Sequence, residues 1–117
     1  MISYELLRSQ SLFQGLPGPL IEEIRPHILI REAQKRDTVV HKGGAGDALL
    51  MLFTGRLQVI SLSEEGKEVG LNFIEPGDFF GEVSLIDGAP RTASVVAVIT
   101  STVGLLPKPR ALWLFQN

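Results

Sequence analysis

The spacing of hydrophobic positions changes once along the chain. Up to Pro26 it is helical: Tyr4-Glu5-Leu6-Leu7-Arg8 reads as a short helix, and a second begins near Pro19, a residue favoured in a first helical turn. This second run carries Leu16, Leu20 and Ile24 at four-residue spacing before Pro26 stops it. From Ile28 onward short apolar runs are separated by Gly, Asp, Pro and Ser, the texture of an all-β sandwich or barrel. Val39-Val40 precedes the glycine turn Gly43-Gly44-Ala45-Gly46-Asp47, the run Leu49-Leu50-Met51-Leu52-Phe53 follows, and Gly55 marks the next turn. Leu57 and Val59 then alternate with Arg56 and Gln58. After the loop Ser63-Glu64-Glu65-Gly66, Val69, Leu71 and Phe73 alternate with Glu68, Gly70 and Asn72. A period of two means strands with one buried face.

Pro76-Gly77-Asp78 makes a further turn, and beyond Pro90 the β-branched stretches Thr92 to Ile99 and Thr102 to Leu106 read as two more strands. The count approaches eight, and eight short strands with regular turns most economically form a jelly roll, which folds two sheets together and limits exposed edges. The expected fold is therefore mainly β, a double-stranded β-helix of about eight strands preceded by short helices. Pro107 to Phe115 looks like a helix entry, and the sequence stops two residues later without a capping signal, so residues 1–117 are expected to form one domain whose C-terminal helix is incomplete. Trp113 and Phe115 on that segment need an apolar surface to cover them.

Composition narrows the chemistry. The 117 residues, 44% of them hydrophobic, can bury a core unaided. With no cysteine there is no disulfide, thiolate metal site, cysteine-ligated iron–sulfur cluster or cysteine nucleophile, which suits a reducing cytoplasm. No apolar run approaches the roughly 18 residues of a membrane span, and nothing resembles an export signal. A net charge of −2 argues against a nucleic-acid grip in this segment, and Arg25, Arg31, Lys35 and Arg36 read as solvated surface. Only two histidines, His27 and His41, are present, without a second histidine at ligand spacing, so a cupin-type metalloenzyme on a jelly roll lacks its ligands. No serine sits in a Gly-x-Ser-x-Gly frame, and no catalytic role is expected.

One segment stands apart: Phe79-Phe80-Gly81-Glu82-Val83-Ser84-Leu85-Ile86-Asp87-Gly88-Ala89-Pro90-Arg91-Thr92-Ala93-Ser94-Val95 interrupts the strands with room for a single short helix beginning near Gly81. The first amides of a helix have no partner within it and carry partial positive charge, so Gly81, Val83 and Ser84 can offer N–H groups to a phosphate. Arg91 can return to the same point with a planar guanidinium that matches phosphate oxygens in pairs, and Thr92 adds a hydroxyl. Glu82 beside a phosphate needs another task, such as accepting from a sugar hydroxyl. A ribose phosphate meets both demands; a simple Glu82–Arg91 salt bridge across the loop is the plainer alternative.

This run resembles the phosphate-binding cassette of cyclic nucleotide-binding domains: Phe80-Gly81-Glu82, small or apolar residues, a turn, then Pro90-Arg91-Thr92-Ala93. The similarity extends over Leu12 to Pro17, Gly43 to Gly55 and Gly77-Asp78, and is greatest to the N-terminal sensor domain of Crp/Fnr-type bacterial transcription regulators. The resemblance implies a ligand-binding set of Phe80, Gly81, Glu82, Val83, Ser84, Arg91, Thr92 and Ala93. Within it Glu82 takes the ribose 2′-hydroxyl and Arg91 the cyclic phosphate, while Thr92 and the amides of Val83, Ser84 and Ala93 complete the cradle. It also implies Asn72 near the base, cyclic AMP or cyclic GMP as ligand with no further cofactor, a homodimer, and DNA contact only through a domain absent from this chain. At Gly44 the family usually carries an acidic or amide residue; this turn is expected to lie away from the cassette. The competing expectation is a jelly roll that has lost its nucleotide and serves haem, another small molecule, or dimerisation; Glu82 and Arg91, both present, argue for a working pocket.

Overall fold

The structure, a computed structural model, describes residues 1–62 and 68–116. The Ser63–Gly66 loop read from the sequence lies outside them. Helices α1 (Tyr4–Arg8) and α2 (Gly18–Ile24) lead into strands β1 (Leu29–Ala33), β2 (Thr38–Val40), β3 (Ala48–Thr54), β4 (Leu57–Leu62), β5 (Glu68–Ile74) and β6 (Phe79–Phe80). Helix α3 (Glu82–Asp87), strands β7 (Ser94–Ala97) and β8 (Ser101–Pro107) and helix α4 (Lys108–Phe115) complete the order. The strands form two antiparallel four-stranded sheets, β1-β8-β3-β6 and β2-β7-β4-β5. This is the two-sheet β architecture expected from the turn spacing.

Strand β3 explains how the layers are held together. Its unbroken apolar run is buried on both faces: Leu50 and Leu52 join Val39, Leu57, Ile74, Val95 and Val103 between the sheets, whereas Leu49, Met51 and Phe53 pack with Leu7, Phe13, Ile21, Ile24, Leu85 and Leu114. A strand covered on one side only alternates, as at Leu57 and Val59; a strand sandwiched between a sheet and helices has no polar face to show.

Several boundaries differ from the sequence expectation, each for a local reason. In α2 the buried residues are Ile21 and Ile24, while Leu16 precedes the helix and Leu20 is half-buried. Pro26 does stop the α-helix, and a single tighter turn, Arg25–His27, carries the chain onward. Thr92, Val98 and Ile99 lie outside β7 although their β-branched types favour strands, and Ala93 lies outside it with them, because the ladder to β4 runs only from Ser94 to Ala97. The two-residue strand β6 is too short to display a period, and it pairs through Leu50–Phe80 and Met51–Phe79. Among the described residues, no helix is long and apolar enough to cross a membrane.

Candidate ligand-binding site

Strand β6 delivers the chain to α3 through Gly81, which adopts φ +88 and sits at the N-cap. That left-handed conformation turns the backbone sharply out of the sheet at little cost only for glycine. Glycine is required twice over, because a Cβ at this position would stand 2.4 Å from Arg91 Nη1. Helix α3 buries Ser84 and Leu85 and ends at Gly88, φ +74; Asp87 Oδ1 then accepts from the Ala89 amide at 2.8 Å and shapes the turn toward Pro90. The hydroxyl of Ser84 faces the Pro90 carbonyl oxygen at 3.5 Å.

Arg91 is the best-anchored side chain of the segment. It is 7% exposed, and its guanidinium donates from Nη1 to the Gly81 carbonyl and from Nη2 to the Ala48 carbonyl, both at 2.8 Å. Glu82 and Arg91 do not pair; among the described residues the ion pairs are Arg25–Glu22 and Arg56–Glu75. The plain loop salt bridge allowed by the spacing therefore does not form. A buried cation met only by neutral carbonyl dipoles retains much of its desolvation cost, and with two of its five N–H groups engaged it keeps donors for an anion.

Beside Arg91 opens a cavity of about 250 Å³. Phe80, Gly81, Glu82, Val83 and Ser84 line it on the α3 side and Arg91, Thr92 and Ala93 on the other, so eight of the nine residues proposed from the sequence meet around one space. The ninth, Asn72, does not line it. It is exposed on β5 directly opposite Val59, whose side chain does reach the cavity, and so stands on the same sheet face, outside the wall. Sequence reasoning missed Val40, Val59, Phe79 and Val95 as walls. Their apolar character was visible, but alternation marks a buried face without marking where that face opens. The Ala48 carbonyl was beyond reach too, since a main-chain acceptor has no residue-type signature.

The largest correction concerns the glycine turn between β2 and β3, expected to lie away from the cassette. The Gly43 amide donates to the Arg91 carbonyl at 2.8 Å and the Arg91 amide to the Gly44 carbonyl at 2.9 Å, so the turn is paired with the cassette backbone.

Residues 30–117 match the family model described as the cyclic nucleotide-binding domain. The chain belongs to this family. Among curated proteins it is 29% identical over 94 residues to the CRP-like cAMP-activated global transcriptional regulator of Mycobacterium tuberculosis, covering 80% of this chain and 42% of that protein. It is 34% identical over 80 residues to the cAMP-activated global transcriptional regulator CRP of Pasteurella multocida, covering 68% of this chain and 38% of that one. Among solved structures, the Thermus thermophilus catabolite activator protein superposes with a TM-score of 0.81 at 28% identity, over 90% of this chain and 49% of the other. The cyclic nucleotide-binding domain described here thus spans about two-fifths of the length of these curated regulators.

Proposed function

We propose that this domain is a sensor that binds a cyclic mononucleotide, cyclic AMP or cyclic GMP, and does no chemistry on it. The observation that carries the reading is Arg91: buried, fixed by two carbonyls, unpaired with any carboxylate among the described residues, and set at the edge of a cavity that Glu82 and the first turn of α3 also line. In this reading the cyclic phosphate lies between Arg91, the Thr92 hydroxyl and the amides of Val83, Ser84 and Ala93. Glu82 accepts from the ribose 2′-hydroxyl, and Phe80 and Gly81 shape the floor. Asn72 lies toward the base. A charge-assisted, paired contact from a guanidinium to phosphate oxygens is the strongest single interaction available in such a site. The cyclic AMP-activated regulators among its relatives support cyclic AMP as the first ligand to try.

In the whole protein this domain would be the regulatory part of a Crp/Fnr-type transcription regulator in the cytoplasm, a homodimer that contacts DNA through a separate domain. Nucleotide binding would favour one arrangement of a helix continuing from α4, and the output domain would respond to that shift in population. Calorimetric titration of the chain with cyclic AMP and cyclic GMP, beside an Arg91→Ala variant whose fold is checked by circular dichroism, tests the proposal. Saturable binding that the substitution abolishes is the expected result. A wild-type chain that binds neither nucleotide, or an Arg91→Ala variant with undiminished affinity, would overturn it.

A further inference from the structure

We infer that the β2–β3 turn is a positioning element of the ligand site, and that Gly46 is the residue through which it sets the distance between α3 and Arg91. Residues 43–48 hold both halves of the cassette at once. The Gly43 amide and the Gly44 carbonyl pair with the backbone of Arg91 at 2.8 and 2.9 Å, and the Ala48 carbonyl accepts from its guanidinium at 2.8 Å. Between these points Gly46 lies against the other half: a Cβ there would stand 2.7 Å from the carbonyl carbon and oxygen of Ser84 and 2.8 Å from its Cβ. Those atoms belong to the first turn of α3, which is short and has Ser84 and Leu85 buried, so it has little room to retreat. Two backbones approach here as closely as a missing side chain allows.

The geometry separates Gly46 from glycines needed for their torsions. Gly46 is absent from the positive-φ residues, so alanine meets no left-handed strain there, and the nearest atoms its Cβ would meet all belong to Ser84. Gly15 is the converse: φ is +80 and nothing lies within 4 Å of its would-be Cβ. Gly46→Ala therefore pushes the first turn of α3 away from Ala48 and the Arg91 guanidinium that Ala48 holds, whereas Gly15→Ala strains a remote loop. Gly46 acts through Ser84 and touches no ligand. A few tenths of an ångström between donors that must meet one phosphate is enough to weaken paired recognition.

The inference takes its ligand from the nucleotide reading above, but its geometry can be tested without one. Nuclear magnetic resonance of the ligand-free full chain would compare the Ser84 amide and the Arg91 Nε–Hε signal in wild type, Gly46→Ala and Gly15→Ala. Gly44→Ala, whose Cβ would sit 3.0 Å from the His41 carbonyl oxygen, serves as a milder disturbance of the same turn should Gly46→Ala fail to fold. The expected result is displacement of both signals in the turn variants and not in Gly15→Ala. Cyclic AMP affinity should fall by about tenfold or more in Gly46→Ala, and by less than about twofold in Gly15→Ala at a similar loss of Tm. Signals unmoved by the turn variants, or equal affinity losses in Gly46→Ala and Gly15→Ala, would overturn the role given to Gly46. If wild type binds neither cyclic AMP nor cyclic GMP, the nucleotide reading falls, and the resonance comparison alone decides whether the turn positions the cassette.

Discussion

The two sides of the cavity are built on different principles. At Arg91 the main chain does the work: two backbone bonds to Gly43 and Gly44 fix the residue, two carbonyls from Gly81 and Ala48 fix its guanidinium, and the side chain is 7% exposed. Toward β5 the wall thins to Val59, with Asn72 opposite it in the ladder and exposed to solvent. Its neighbour Phe73, 46% exposed, is covered by the Arg56 guanidinium, 3.7 Å from the ring centroid, which in turn pairs with Glu75. One side is tied down by main-chain hydrogen bonds and, on the nucleotide reading, would receive a small charged group; the other is a surface on which side chains can change without disturbing the fold. The part of a nucleotide common to all cyclic mononucleotides would fall on the rigid side, and the part that distinguishes them on the permissive one.

Substitutions on the rigid side should therefore cost both binding and stability. Arg91→Ala is expected to have the largest effect. It removes the charge and leaves the Gly81 and Ala48 carbonyls without their donors, a loss of about 3 kcal/mol or more in ligand binding, or at least roughly 100-fold by calorimetry, with a lower Tm. Unchanged Tm would mean that the two carbonyls do not depend on Arg91 and that this side is less rigid than its hydrogen bonds imply. Gly81→Ala comes next, because it forces a side chain into φ +88 and against Arg91 Nη1. A cost of about 1–3 kcal/mol is expected, seen as a fall in Tm of several degrees together with weaker nucleotide binding. Thr92→Ala, at an exposed position on the cavity rim, should lower affinity by only about 0.5–1.5 kcal/mol and leave Tm within a degree or so. An effect as large as that of Arg91→Ala would place the phosphate on the hydroxyl and move the centre of recognition away from the guanidinium.

How far this contrast was legible before the structure follows from the same physics. The cassette residues Phe80 to Ser84 and Arg91 to Ala93 were readable because their order resembles the phosphate-binding cassette of cyclic nucleotide-binding domains; the helix start, the glycine and the arginine alone left a plain Glu82–Arg91 salt bridge open. The jelly roll was readable because turns and alternation recur: Leu57 and Val59 face inward as period two requires, and the unbroken Leu49–Phe53 run is a strand buried on both faces. What escaped was contact made by main chain. Gly43, Gly44 and Gly46 read as a glycine turn, and nothing in three glycines tells that two are paired with Arg91 and the third is pressed against Ser84. Strand β6 escaped because two residues hold no period, and the start of β7 because β-branched Thr92 has a strand-like type but lines the cavity with Ala93 instead.

The smallest expected effect gives the sharpest test of the permissive side. Asn72 lies opposite Val59 on the face that leads into the cavity, yet outside the residues that line it, so on the nucleotide reading it would meet only the far end of the ligand. An exposed amide that exchanges a water for a base edge gains little net energy, because the water bond it gives up is nearly as good. Asn72→Ala is therefore expected to change affinity for cyclic AMP and cyclic GMP by under about 0.5 kcal/mol each and to leave Tm untouched. What matters is the difference between the two nucleotides, measured in one calorimetric series. A shift confined to one of them, even by a factor of about two, would place the base at β5 and make Asn72 a selectivity residue. Equal, negligible changes would leave base choice to the cavity walls Val40, Val59 and Val95, which would read the shape of the ligand, and to the rim hydroxyl of Thr92, which can hydrogen-bond.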